Sequence, residues 1–198
     1  MINNLFPIKI YKASYPYDLQ PLIANLIPLI EFDKTLENNQ GSMRGEGICS
    51  YVERRDLHEL DIFAPVVKFI QTHVLTYWRE LNYDPAYNPK IEEMWYNVYK
   101  EGSFIDLHNH APRTLTCSFY LSKEFGTSNI VFENPLSTIL KHQPYYIDKN
   151  NYHALFEEEV DAQSGDLIIF PGWLNHRTIK NSSTTDRIMI GANICIER

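Results

Sequence analysis

The chain has 198 residues, 44% hydrophobic and 22% charged, with a formal net charge of −7. These proportions fit one domain with a sizeable core and argue against long disorder. The acidic balance argues against a broad electrostatic grip on nucleic-acid phosphates.

Cys49, Cys117 and Cys195 are odd in number and share no CxxC spacing. They read as buried thiols in a reducing compartment rather than a disulfide framework. The opening MINNLFPIKIYK has neither a basic start nor a long apolar run. No stretch approaches the roughly 18 apolar residues needed to cross a bilayer. The expectation is a soluble cytoplasmic protein, with no membrane partner and its oligomeric state unassigned.

In chain order, a short strand-like start spans Pro7 to Tyr11, and Asp18 to Phe32 reads as helical, interrupted by Pro21 and Pro28. A loop with Gly41, Gly45 and Gly47 follows. From Asp56 to Leu81, the residues Leu57, Leu60, Phe63, Val67, Ile70, Val74, Trp78 and Leu81 recur at steps of three and four, the period of one helix face. Asp56 is placed to cap its start, and Pro65 predicts a kink or second start. Asp84-Pro85 and Pro89 end the pattern.

From Ile91 onward the runs become short and β-like. They are Met94–Lys100, Phe104–Leu107, Thr114–Leu121, Asn129–Glu133, Tyr152–Phe156, Asp166–Phe170 and Arg187–Ile196. Glu157-Glu158-Glu159 reads as a solvated turn. Many short strands indicate a sandwich or barrel rather than a parallel sheet. The predicted fold is mainly β with N-terminal helices, a jelly roll backed by helices. Residues 1–198 form one domain, with a helical part over 1–90 packing on a catalytic core over 91–198.

GSFIDLHNHAP holds two of the seven histidines, His108 and His110. On an extended strand, residues two apart share a face, so both imidazoles can reach one point. His176, in GWLNHRTI, follows the apolar run DLIIF and the turn PGW. Three such donors can occupy one face of an octahedron and leave positions open for small molecules, as non-haem iron chemistry requires. A single strand histidine is more often structural, so the surrounding sequence must decide.

Five ordered segments do so. They are YKEGSFIDLHNH, TCSFYL, IVFENP, SGDLIIFPGWLNH and DRIMIGAN. Over residues 95–195 they resemble the catalytic core of the iron(II)- and 2-oxoglutarate-dependent oxygenases, in particular the prolyl-4-hydroxylase-like branch. The resemblance implies a cupin-like double-stranded β-helix, and Fe(II), 2-oxoglutarate and O2 as cofactor and co-substrates. It implies hydroxylation of a small-molecule or peptidyl substrate, with decarboxylation of 2-oxoglutarate to succinate. The metal ligands would be His108, His110 and His176.

His110 stands where the family has a carboxylate, which makes this a three-histidine variant. The neutral donor set leaves the ferrous centre its full charge, favouring a dianionic co-substrate. Asp106 is the competitor, on the same strand face one pleat earlier.

In the last strand, Arg187, Met189, Gly191 and Asn193 share one face. A cation facing an apolar barrel mouth needs an anionic partner, and the resemblance supplies the distal carboxylate of 2-oxoglutarate. Tyr120 would donate to the same carboxylate, and Asn97 would bind the co-substrate or orient a ligand, unless it makes only a cross-strand bond. Met189 stands where the family often has serine. Trp95, Tyr99 and Trp173 are assigned to core or pocket wall. His58, His73, His142 and His153 lack metal-like spacing and are assigned structural roles. Two rival readings are a cupin-like three-histidine metalloenzyme that does not use 2-oxoglutarate, and a non-catalytic jelly-roll binding protein.

Overall fold

The computed structural model describes residues 7–124, 127–142, 144 and 156–197. The elements run β1 (Tyr11–Ser14), α1 (Gln20–Asp33), β2 (Met43–Arg44), β3 (Ile48–Cys49), α2 (Ala64–Glu80), β4 (Asn88–Tyr99) and β5 (Phe104–Ile105). They continue with β6 (Leu115–Ser122), β7 (Ile130–Glu133), α3 (Ser137–Leu140), β8 (Glu157–Val160), β9 (Asp166–Pro171), β10 (His176–Thr178) and β11 (Arg187–Glu197). A six-stranded sheet has the order β1-β9-β6-β11-β4-β3, a second sheet the order β10-β7-β8, and β2 pairs with β5. All the strand pairings are antiparallel.

Period-two alternation gives the large sheet two distinct faces. Met94, Tyr96 and Val98 of β4 and Ile190, Ala192 and Ile194 of β11 join one core with Leu26, Phe63, Ile70 and Val74 from the helical region. Their neighbours Trp95, Tyr99 and Met189 join a second core with Ile130 and Phe132 of the opposing sheet. The helices therefore back one face, and the small sheet closes over the other. This is the predicted jelly roll.

The N-terminal part contributes more than helices, because β1, β2 and β3 add strands to β9, β5 and β4. The predicted strand start at Pro7 begins at Tyr11 instead. In α1, Pro21 lies in the first turn, where its missing N–H forfeits nothing, and Pro28 is carried inside the helix.

The long helix predicted from Asp56 is corrected. Leu57–Glu59 and Asp61–Phe63 are single 3-10 turns, the α-helix starts at Ala64, and Asp56 makes no side-chain capping bond. Pro65 is the cause, since an α-helix crossing it would lose a backbone bond and clash with the carbonyl a turn earlier.

The triple-glutamate run is also corrected. It is strand β8, an edge strand whose glutamates are exposed, with Glu157 bonded to Arg177 and Glu159 to Asn129. Charge on an exposed edge resists pairing with other chains. Of the predicted strand Tyr152–Phe156, residues 152–155 lie outside the described residues, and Phe156 is a bend. His153 is likewise outside them. Trp173 is neither core nor pocket wall, because it is 50% exposed in the turn after β9, beyond the reach of strand alternation.

Candidate metal and co-substrate site

The three sequence-predicted histidines converge: one ring nitrogen from each of His108, His110 and His176 lies within 4.8 Å of the others. Convergence does not come from the regular strand expected around HxH, since β5 stops at Ile105. Instead His108 and His176 form an isolated antiparallel bridge, His108 N donating to His176 O at 2.9 Å and His176 N to His108 O at 2.8 Å. His110 N then donates to Gly172 O at 2.7 Å. Gly172 is required there, because a Cβ would collide with the Arg113 carbonyl.

Nδ1 of His108 lies 2.7 Å from Asp106 O, and Nδ1 of His176 lies 2.9 Å from Leu174 O. An acceptor at Nδ1 makes that nitrogen the N–H and leaves Nε2 its lone pair. Burial holds all three imidazoles below their ordinary titration range, His110 to about 4, and repulsion from His108 adds to the effect at His110 and His176. Neutral imidazoles are the form a metal needs. The Asp106 carboxylate, the sequence-level competitor, points elsewhere and pairs with Arg44 at 2.8 Å.

A cavity of about 640 Å³ runs from the histidines to Arg187. Cross-strand register sets its floor in rows: Arg187 opposite Tyr99, Met189 between Asn97 and Tyr120, Gly191 opposite Trp95, and Asn193 opposite Glu93. Arg187 has 0% exposure. Its Cζ lies 3.7 Å from the centre of the Tyr99 ring. Its Nη1 donates to the carbonyl and hydroxyl oxygens of Ser128, and Nη2 meets the Met189 sulfur at 3.7 Å. Its Nε makes no hydrogen bond, and no carboxylate among the described residues pairs with it. Tyr120 is buried beside it, the guanidinium 5.5 Å from its ring centre. The buried Asn97 Oδ1 also lacks a partner, so the expected cross-strand bond through that oxygen is absent.

Trp95 and Tyr99 prove to be cavity wall, and Trp95 stacks on His110 at 5.8 Å between centroids. Sequence reasoning missed Ser128, whose polar loop carries no distinguishing signal. It also missed Glu93, which strand alternation with Trp95 and Asn97 could have placed on this face.

A double-stranded β-helix with three convergent imidazoles and a buried cation facing one cavity has the layout of a non-haem metal site with room for an anionic ligand. The family model described as "Putative 2OG-Fe(II) oxygenase" matches residues 93–193, and the chain belongs to that family. It is an oxidoreductase of the class that uses iron(II), 2-oxoglutarate and O2.

Among solved structures, a Pseudomonas putida prolyl-4-hydroxylase superposes with a TM-score of 0.62 at 12% identity, covering 95% of this chain and 92% of that one. HygX from Streptomyces hygroscopicus, with nickel and 2-oxoglutarate bound, gives 0.62 at 11% identity, covering 95% and 83%. The non-haem α-ketoglutarate-dependent epimerase SnoN, from nogalamycin biosynthesis, gives 0.65 at 10% identity, covering 95% and 76%. At such identities the likeness attests the fold alone. No curated protein sequence matches the chain. No helix among the described residues is long and apolar enough to cross a membrane.

Proposed function

We propose that His108, His110 and His176 hold iron(II), that Arg187, Tyr120 and Asn97 hold 2-oxoglutarate, and that the protein hydroxylates a small-molecule or peptidyl substrate. The observation that carries this reading is Arg187: a fully buried guanidinium with an unpartnered Nε and no carboxylate partner among the described residues. A buried charge left unpaired costs several kcal/mol, so a site that keeps one implies an anion that arrives with the ligand. Ser128 occupies Nη1, which leaves the Nε–Nη2 edge, where only the Met189 sulfur sits, for two parallel bonds to a carboxylate. The same feature weighs against a three-histidine cupin without a keto acid and against a non-catalytic binding protein.

Iron(II) with 2-oxoglutarate supplies the oxidising chemistry: decarboxylation of the keto acid to succinate and hydroxylation of a C–H bond of the second substrate. The chain's own residues orient and exclude. Backbone carbonyls of Asp106 and Leu174 fix the tautomers of His108 and His176. Asn97 presents an amide between the metal and Arg187 ends of the cavity, and its free Oδ1 suits a ligand donor or a ligand water. Trp95, Tyr99, Phe170 and Ile130 form walls that keep bulk water from the reacting atoms. Residues 1–198 act in this reading as one catalytic domain. All three cysteines are unpaired, in keeping with a reducing cytoplasmic setting.

Anaerobic titration with iron(II) and then 2-oxoglutarate tests the assignment. A metal-to-ligand absorption band that needs both additions is expected, with succinate formed once air is admitted. Iron binding without any effect of 2-oxoglutarate would favour the cupin-like alternative.

A further inference from the structure

His108 and His176 are each oriented by the carbonyl two residues earlier in the chain. No such bond is seen for His110, whose corresponding carbonyl, of His108, accepts the His176 N–H instead. Its orienting group must come from elsewhere. Asn193, 2% exposed, lines the same cavity as His110.

The orientation of that amide is not free. Asn193 Nδ2 donates to Glu93 Oε2 at 2.8 Å, across the pair that register places directly opposite. A carboxylate only accepts, so the amide nitrogen must face Glu93 and Oδ1 must face away from it. Glu93 is itself fixed, since Oε1 takes Arg113 at 3.2 Å and Arg55 at 3.5 Å, and Tyr51 donates to both oxygens. The buried Asn193 Oδ1 is left without a partner.

We propose that Asn193, locked by Glu93, is the positioning residue for His110. Its Oδ1 accepts the N–H of the ring nitrogen that does not face the metal, and so presents the other nitrogen's lone pair. The inference rests on the three-histidine reading above. Where the family has a carboxylate at the metal, this chain has an imidazole, and the carboxylate stands two hydrogen bonds further out.

The test compares cobalt(II) affinity and the cobalt d–d spectrum of the whole protein across variants, alongside NMR of the zinc-loaded wild type. Asn193→Leu removes the acceptor at similar volume and is expected to weaken cobalt binding by roughly tenfold or more, the usual effect of losing a group that orients a metal-bound histidine. Asn193→Asp keeps an acceptor but gives up the donor to Glu93, and is expected to recover only part of that affinity while still binding more tightly than Asn193→Leu. A purely structural asparagine predicts the reverse, because a second carboxylate beside Glu93 is the more disruptive change. In the zinc-loaded wild type, the His110 ring N–H is expected to exchange slowly with water, and this needs no variant to fold. Fast exchange, or wild-type affinity in Asn193→Leu, overturns the proposal. His176→Ala separates the two levels: if it too keeps full affinity, the triad itself is wrong, whereas its loss of binding confines the failure to Asn193.

Discussion

Asp106 and His110 offered one chemistry at two positions, and the side chains diverge. Asp106 turns to Arg44 at the surface, while His110 enters the cluster with His108 and His176. An exposed ion pair contributes about 0–1 kcal/mol, so Asp106→Asn should leave both stability and iron affinity nearly unchanged. His110→Ala removes a donor and should abolish tight iron binding, as should His176→Ala, measured by equilibrium dialysis under nitrogen. The opposite pattern would return the site to two histidines and a carboxylate. Arg187 carries the co-substrate prediction. Arg187→Met keeps much of the apolar stem but removes every donor, and charge-assisted bonds contribute about 1.5–3 kcal/mol. The 2-oxoglutarate concentration required for decarboxylation should rise at least about tenfold, corresponding to about 1.4 kcal/mol, with iron binding unchanged. Pyruvate, lacking the distal carboxylate, should show a smaller effect if it is used at all.

Strands β4 and β11 separate stability from chemistry by alternation, and the two faces should respond differently to mutation. Ile70 of α2 is fully buried against the helix-side face. Ile70→Ala should cost about 2–5 kcal/mol of stability through lost burial and the cavity left behind, with metal affinity intact. On the other face, Gly191 lets the Trp95 ring lie flat on the sheet, since a Cβ at Gly191 would stand 2.5 Å from Trp95 Cζ2. Trp95 touches the rings of both Tyr51 and His110, so a shift of Trp95 disturbs them. Gly191→Ala should therefore weaken cobalt or iron binding severalfold while far-UV circular dichroism stays that of the wild type. Unaltered affinity would show that Trp95 does not set the position of His110.

Acid should loosen the whole molecule through two buried carboxylates that tie distant segments together. Asp166 joins β9 to β1 through Lys12 at 2.8 Å and Ser14 at 2.8 Å. Burial alone would raise its pKa, but Lys12, the Gln163 N–H and Ser14 together hold it below its ordinary value of 3.8. Glu93 is likewise pushed up by burial yet held below 4.5 by Asn193, Arg113 and Tyr51. A carboxylate depressed in the folded state binds fewer protons there than in the unfolded chain. Its stabilisation is thus complete above the ordinary pKa and is lost as pH falls through the lower folded value. The melting temperature should decline from about pH 5 to about pH 3, and Asp166→Asn should lower it at neutral pH while flattening that decline. A decline as steep in Asp166→Asn as in the wild type would remove Asp166 as a cause.

Periodicity made the two sheet faces legible, because alternation along DRIMIGAN is a local property: Arg187, Met189, Gly191 and Asn193 were bound to share one side wherever the strand packed. The order of the five segments likewise pointed to the three histidines and to the class of chemistry. Pro65 made a second helix start legible, though not the two 3-10 turns before it, whose form depends on how Leu57 and Phe63 reach the core. The glutamate run gave no strand signal, since β8 exists only because β7 offers it a free edge. Nothing local revealed Ser128 as the partner of Arg187, or that His108 and His176 would face each other through reciprocal backbone bonds. Those pairings join residues far apart in the chain, and only closure of the small sheet over the large one brings them within hydrogen-bond reach. Residue type and spacing settled which chemistry was available, whereas tertiary packing decided which atoms were left without partners and so what the cavity can take.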